Sequence, residues 1–168
     1  MVDTGQQPME FTLGELLRRR GLRLAVAESC TGGLVGHRIT NVPGSSEYYL
    51  GSVTAYAYQA KQSLLNVQAE SLEKFGAVSQ EVAIEMARGV RIVLGADIGA
   101  SVTGIAGPGG ETPNKPVGLT WIGFSIPGID RAWKYLWEGD RLQVKEQSAE
   151  AVLRILVEYL QRLDDGSD

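Results

Sequence analysis

The sequence predicts a three-layer α/β/α domain whose sheet is mixed and mostly parallel, with an antiparallel hairpin late in the chain. Two observations support this fold class. Short apolar runs suited to buried strands alternate with helix-like segments as far as Ala106, an order that favours parallel strands covered by helices on both faces. Two more strand-like runs then flank a turn at Pro127-Gly128, and strands joined by so short a turn pair in antiparallel fashion.

Length and composition predict one globular domain without repeats or linkers. A chain of 168 residues can bury a single core, and 43% hydrophobic and 21% charged residues are ordinary values for such a domain. We expect the domain to span residues 10–163, with loose tails at 1–9 and 164–168.

The first half of the chain is divided by recognisable start and stop signals. Thr12 and Glu15 match a capping box at the start of a helix, and Pro43-Gly44 breaks a later one. The predicted elements are a helix from Thr12 to Gly21, a strand over 22–27, a helix ending near Asn41, a short helix from Ser45-Ser46 through Tyr48 and Leu50, a strand over 51–58 and a helix over 59–65.

The second half follows the same logic. Ser79 is a good helix N-cap, and apolar residues repeat after it at helical spacing until Gly95. The predicted elements are helices over 68–75 and 79–95, a strand of small residues over 98–106, a Gly/Pro loop over 107–116, strands over 117–126 and 131–137, and a long helix over 141–163.

Charge and cysteine content exclude several classes of function. The net charge is −4 and there is no basic stripe, which argues against direct nucleic-acid binding. One cysteine and one histidine leave no disulfide framework and no transition-metal cluster. The polar N-terminus lacks a signal core, and no apolar run approaches the roughly 20 residues that span a bilayer. We therefore expect a cytoplasmic protein without membrane contact.

The stretch Ala27-Glu28-Ser29-Cys30-Thr31-Gly32-Gly33 joins a predicted strand to a predicted helix. Such a turn lies where open α/β sheets bind ligands, and its free N–H groups favour anions. Ser29 is a candidate nucleophile or a plain helix N-cap. Cys30 is a candidate thiolate or a small buried residue, and Glu28, Cys30 and a lysine would make a nitrilase-like trio.

A serine nucleophile needs a base. His37 lies on the following helix and rises away from the turn, so a solvated histidine is the better interpretation. Lys61 follows the predicted strand that carries Tyr56, and this strand would end beside the turn if the two strands pair in parallel. A desolvated lysine can act as a base, with the tyrosine relaying a proton; the alternative is a solvated helix residue and an ordinary sheet residue.

The stretch from Thr103 to Gly110 is a second glycine-rich segment after a strand. It lacks the Gly-Lys-Ser/Thr of a P-loop, and no helix follows it as in a dinucleotide fold. Its N–H groups are candidates for an oxyanion hole, or it is an ordered surface loop. Arg141, at the start of the last helix, is a candidate phosphate clamp or a partner for nearby acids.

Together these segments resemble a known family. They are Ala27 to Gly33, Pro43-Gly44-Ser45-Ser46, Tyr56 with Lys61, Gly76-Ala77-Val78-Ser79, Gly104-Ile105-Ala106-Gly107-Pro108, Lys115-Pro116-Val117-Gly118 and Gly139-Asp140-Arg141. In this order they resemble the C-terminal domain of the CinA (competence/damage-inducible) family. The resemblance is to the stand-alone form of that domain, which has nicotinamide-nucleotide amidase activity. The resemblance covers about residues 10–163.

The resemblance implies hydrolysis of nicotinamide mononucleotide to nicotinate mononucleotide and ammonia, a step in pyridine-nucleotide salvage. It implies a nucleophile at Ser29, assisted by Lys61 and Tyr56, with no metal or cofactor. Residues expected to contact the substrate or its oxyanion are Cys30, Thr31, Gly32, Gly33, Ser45, Ser46, Gly104, Ile105, Ala106, Gly107 and Arg141, with the phosphate on a helix N-terminus near Ser45-Ser46 or Thr31-Gly32-Gly33.

The sequence also departs from the family pattern. Ala57, Tyr58 and Gln59 stand where the family often has Ser-Asn-Glu, and there is no counterpart of the family's N-terminal domain, so its pyrophosphatase activity is not carried over. The alternatives are a non-catalytic interaction domain linked to competence or DNA repair, and another amide or ester hydrolase. The resemblance favours a homo-oligomer, for which an exposed aromatic edge at Trp121, Trp133 and Trp137 would supply an interface.

Overall fold

The computed structural model describes residues 7–166, and within them six α-helices surround a five-stranded sheet. In chain order the elements are α1 Met9–Arg20, β1 Leu24–Glu28, α2 Leu34–Thr40, β2 Tyr49–Thr54, α3 Tyr58–Leu65, α4 Ala69–Phe75, α5 Gln80–Leu94, β3 Ile98–Gly104, β4 Leu119–Ile126, β5 Ile129–Leu136 and α6 Arg141–Asp164. A short 3-10 helix, Ser45–Glu47, precedes β2.

The strands lie in the order β2-β1-β3-β4-β5. β1 pairs in parallel with both β2 and β3, whereas β4 is antiparallel to β3 and to β5. The mixed sheet with a late hairpin is therefore confirmed. Because β1, β2 and β3 run in the same direction, their carboxyl ends meet at one edge of the sheet, which is where ligands bind in open α/β folds.

Helices cover both faces because side chains alternate along β1. Leu24 and Val26 pack into the core formed with α1, α2 and α6. Ala25 and Ala27 face the opposite core, formed with α3, α4 and α5. Trp133 and Trp137 of the hairpin region pack against the α6 side, so core packing accounts for these two aromatic residues.

Small residues let α5 lie directly on the centre of the sheet. A Cβ on Gly99 would stand 2.1 Å from the carbonyl oxygen of Ala87, and one on Gly123 would stand 2.2 Å from that of Ala83. The hydroxyl of Ser101 donates a hydrogen bond of 2.6 Å to the same Ala83 carbonyl. The small-residue character of β3 is therefore a packing requirement of this helix–sheet contact.

The structure corrects the start of the first helix. α1 begins at Met9 with Pro8 as its N-cap, so Thr12 lies inside the helix rather than capping it. Proline fits here because its φ of −55° suits a helix start. Met9 and Asp164 are helical rather than part of loose tails, and residues 1–6 and 167–168 lie outside the described residues.

The strand predicted over 51–58 also ends early, at Thr54, because the chain turns there to begin α3 at Tyr58. The remaining elements fall within a few residues of the predicted positions. Between residues 7 and 166, no helix has the length and apolarity that crossing a membrane requires.

Candidate active site

Ser29 and Lys61 meet at the carboxyl edge of the sheet. Ser29 directly follows β1, and Lys61 lies in the first turn of α3, the helix that follows β2. The parallel register pairs Glu28 with Thr54, so both strands end at the same level. The Lys61 Nζ atom consequently lies 3.0 Å from Ser29 Oγ, within hydrogen-bonding distance.

Burial of the Lys61 amine shifts its ionisation toward the neutral form. Only 1% of the residue is exposed, and burial lowers its pKa to about 8. Nζ also donates to the carbonyl oxygens of Ala55 at 2.7 Å and Tyr56 at 3.1 Å. A neutral amine has two N–H groups and one lone pair. When the two carbonyls accept the N–H groups, the lone pair is directed at the Ser29 hydroxyl.

Cys30 does not have the environment of a reactive thiolate. The residue is buried, and this burial raises the pKa of its thiol to about 12. A reactive cysteine requires a lowered pKa, because the thiolate is the nucleophile. The geometry therefore favours Ser29 over Cys30 as the nucleophile.

Glu28 is fully buried and serves as an anchor for the start of α2. Its Oε2 accepts hydrogen bonds from the Thr31 hydroxyl at 2.6 Å and from the N–H groups of Gly33 at 3.0 Å and Val35 at 3.1 Å. Its Oε1 accepts from the N–H of Gly36 at 2.8 Å. The helix end that was expected to cradle a substrate anion is thus occupied by this carboxylate, and Glu28 is not free to act as a base with Cys30.

Tyr56 contacts the site differently from the prediction. Its backbone carbonyl accepts from Lys61, while its side chain is 62% exposed. The Tyr56 hydroxyl accepts a hydrogen bond of 3.1 Å from Arg141. A direct Ser29–Lys61 hydrogen bond makes a relay through the Tyr56 hydroxyl unnecessary, and this hydroxyl lies instead at the pocket mouth.

Arg141 bridges the pocket mouth. Besides Tyr56, its guanidinium donates to the carbonyl oxygen of Gly107 at 2.7 Å. The start of α6, the glycine-rich loop and the segment before α3 are thereby joined above Ser29. Neither acceptor is a carboxylate, so these contacts leave the positive charge of Arg141 uncompensated.

The pocket around Ser29 has a volume of about 240 Å³. Its lining comprises Ser29, Cys30, Tyr56, Tyr58, Lys61, Ala77, Val78, Thr103, Gly104, Ala106 and Arg141. Sequence reasoning did not select Tyr58, Ala77 and Val78 as site residues, and it named Thr103 only as the start of the glycine-rich stretch. The Gly76-Ala77-Val78-Ser79 motif was the one signal that could have found two of them.

Other residues expected at the substrate lie beside the pocket or far from it. Thr31, Gly32, Gly33, Ile105 and Gly107 flank the lining residues without forming part of the lining. Ser45 and Ser46 precede β2, at the amino edge of the sheet, near the ion pair of Arg18 and Glu47. The structure does not bring these two serines to Ser29, because they and Lys61 lie at opposite ends of β2.

Fold and site together define a three-layer α/β protein with a serine–lysine pair at the carboxyl edge of its sheet. The family model described as the CinA C-terminal domain matches residues 6–160. The chain therefore belongs to the CinA family and corresponds to its C-terminal domain.

Relatives and solved structures agree with this assignment. The CinA-like protein of Salinibacter ruber is 49% identical over 153 residues, which cover 91% of this chain and 37% of that protein. The CinA-like protein of Chlorobium limicola is 47% identical over 165 residues, which cover 95% of this chain and 38% of that protein. The chain thus spans little more than a third of the length of these curated relatives.

Among solved structures, a CinA superfamily protein from Klebsiella pneumoniae superposes with a TM-score of 0.88 at 30% identity, covering 93% of this chain and 99% of that one. A competence/damage inducible protein from Agrobacterium tumefaciens gives a TM-score of 0.82 at 34% identity, and the match covers 89% of this chain and 96% of that one. The α/β fold therefore matches that of known CinA structures along nearly the whole chain.

Proposed function

We propose that this domain hydrolyses the carboxamide of nicotinamide mononucleotide, releasing nicotinate mononucleotide and ammonia. The observation that carries the proposal is the 3.0 Å contact between the buried Lys61 amine and the Ser29 hydroxyl. A nucleophile paired with a base of lowered pKa is the arrangement that acyl-transfer chemistry requires. The substrate is inferred from membership of the CinA family.

In the first step Ser29 Oγ attacks the amide carbon while its proton passes to the neutral Lys61 amine. The tetrahedral intermediate then collapses, the C–N bond breaks, and Lys61 returns the proton to the departing nitrogen. Ammonia leaves and the nicotinoyl group stays as an ester on Ser29. Lys61 is neutral again at the end of this step and is ready for the second half of the reaction.

In the second step Lys61 takes a proton from water, and the resulting hydroxide attacks the ester carbon. The bond from that carbon to Ser29 Oγ breaks, and Lys61 returns the proton to the serine oxygen. The net reaction consumes one water and one amide and yields one carboxylic acid and one ammonia. The enzyme ends as it began.

Backbone N–H groups near Ser29 stabilise the developing oxyanion in this proposal. Within residues 7–166, the N–H groups of Cys30, Thr31, Ala106 and Gly107 donate to no backbone carbonyl. Those of Gly33, Val35 and Gly36 are held by Glu28. Cys30 and Ala106 also line the pocket, so their N–H groups are the candidates for the oxyanion hole.

The test is an ammonia-release assay with three substrates: nicotinamide mononucleotide, nicotinamide riboside and free nicotinamide. Turnover of the mononucleotide, with weaker turnover of the other two, supports the proposal. Release of ammonia from none of the three would favour a non-catalytic interaction domain. Equal turnover of all three would contradict nucleotide specificity while keeping the amidase chemistry.

A further inference from the structure

A substrate phosphate needs positive charge close to the pocket, and most nearby cations are already engaged. Lys61 is buried beside Ser29 and contacts two carbonyls. Arg38 of α2 is held between Glu10 at 2.6 Å and Glu150 at 2.8 Å. The N-terminus of α2 is occupied by the Glu28 carboxylate. The phosphate must therefore be recognised by other groups.

Lys115 donates to the carbonyl oxygen of Phe75, and two further cations lie on the first turns of α6. Arg141 lines the pocket and contacts only the neutral oxygens of Gly107 and Tyr56. Lys145 follows four residues later, which places it one helical turn, about 6 Å, along the same face. Neither belongs to an ion pair among residues 7–166.

Lys145 lies over the turn that follows Ser29. Its Nζ comes within 3.8 Å of the position that a Cβ would take on Gly32. Burial raises the pKa of the Cys30 thiol, and the charges of Lys61 and Lys145 oppose that rise, so Lys145 acts on this turn electrostatically. Gly32 itself is exposed, which leaves room for a ligand group between the turn and α6.

We infer that Lys145, together with Arg141, binds the phosphate of the substrate and makes the site select the nucleotide over the nucleoside. This inference rests on the proposed amidase function for its substrate. A phosphate between these side chains would receive hydrogen bonds from a guanidinium fork and an ammonium, both charge-assisted. It would also relieve the repulsion between two like charges one turn apart on a helix.

The experiment compares Lys145→Gln with the wild-type chain on nicotinamide mononucleotide and nicotinamide riboside. Loss of one charged phosphate contact should raise KM for the mononucleotide about tenfold, leave kcat within about twofold and leave the riboside unaffected. The preference for the nucleotide therefore falls about tenfold. Lys134→Gln, the same charge change on exposed β5, is the matched control and should behave as wild type.

Ionic strength supplies a second readout that a merely structural effect would not change. Added salt should raise KM for the mononucleotide in the wild-type chain and have a smaller effect in Lys145→Gln, because screening acts on a charge that the variant lacks. A substrate preference and a salt dependence that both survive the substitution would overturn the inference.

Failure of the proposed function can be told apart from failure of this inference. If the wild-type chain releases no ammonia, equilibrium binding of nicotinamide mononucleotide and nicotinamide riboside tests the phosphate site by itself. Tighter binding of the mononucleotide that is lost in Lys145→Gln supports the phosphate site even without catalysis. Equal binding of the two compounds by the wild-type chain rejects it.

Discussion

The Lys61 amine reaches the Ser29 hydroxyl across 32 positions of sequence and lies 3.0 Å from it. Parallel pairing of β1 with β2 brings their carboxyl ends together, and one turn of α3 then directs the lysine back over the end of β1. The topology of the sheet thus brings the two residues together, and single substitutions can test the role of each.

Replacing Ser29 by Ala should lower amide hydrolysis by roughly 10³-fold or more, since it removes the residue that forms the acyl ester in the proposed mechanism. Steady-state ammonia release with nicotinamide mononucleotide measures the effect. Cys30→Ala is the matched control, because it alters the neighbouring residue and should keep most of the activity. Loss of activity in Cys30→Ala with retention in Ser29→Ala would show that the thiol is the nucleophile.

The activity should rise with pH. In the proposed mechanism Lys61 acts as the neutral amine, and burial lowers its pKa to about 8. Below that pH the amine is protonated, so kcat/KM should fall about tenfold for each pH unit and level off above it. A pH–rate profile between pH 7 and 9, in a buffer of constant ionic strength, measures this. A flat or declining profile would exclude Lys61 as the base.

The free energy of unfolding should depend on the same ionisation of Lys61. The pKa of Lys61 is about 8 in the folded chain and about 10.4 in an unfolded one. Between these values only the unfolded chain binds the extra proton, so the free energy of unfolding gains a contribution that increases with pH. Below pH 8 both states bind the proton and the contribution is constant.

Urea unfolding at several pH values, repeated with Lys61→Met, isolates this contribution from those of other titrating groups. The difference between wild type and variant should change over pH 8–10 and stay constant below pH 8. A difference that does not vary with pH in that window would mean that Lys61 keeps an ordinary pKa in the folded chain.

Glu28→Gln should destabilise the fold by about 2–3 kcal/mol. Both oxygens of the carboxylate accept backbone N–H groups, and the amide replaces one oxygen by an NH₂ group. At least one N–H group then faces another donor instead of an acceptor. The free energy of unfolding in urea measures the loss. Glu47→Gln removes a carboxylate from an exposed ion pair with Arg18, and such pairs contribute only about 0–1 kcal/mol. Equal effects of the two substitutions would contradict the anchoring role of Glu28.

Gly99→Ala should cost about 1–3 kcal/mol, since its Cβ would stand 2.1 Å from the Ala87 carbonyl oxygen and force α5 away from the sheet. Gly109→Ala is the matched control, because a Cβ there meets nothing within 4 Å. Thermal unfolding of both variants should show a clear loss for the first and little change for the second. A comparable loss in both would mean that chain flexibility, rather than steric contact, governs these positions.

Much of the fold was predictable because local signals in this chain are consistent. Gly21, Ser79 and Gly95 mark helix ends where the structure has them. The start of α1 was not predictable, because Thr12 and Glu15 form a valid capping motif that competes with Pro8. The strand order depends on contacts between distant segments, which periodicity does not encode.

The candidate site also has parts that the sequence predicts and parts that it does not. Ser29 and Lys61 could be proposed because each follows an apolar strand, and parallel pairing brings such positions together. The contact between Arg141 and Tyr56 could not, since it joins residues 85 positions apart. The burial of Glu28 was also missed, because a glutamate next to a nucleophile suggests chemistry before it suggests support.

The anchoring of α2 by Glu28 has a consequence for how this domain can diversify. The turn that follows Ser29 is held by an internal carboxylate, so contacts within the chain fix the start of α2. The mouth of the pocket is lined instead by side chains such as Arg141 and Tyr58. Substitutions at the mouth would therefore alter the shape and charge of the pocket while the contact between Ser29 and Lys61 stays intact.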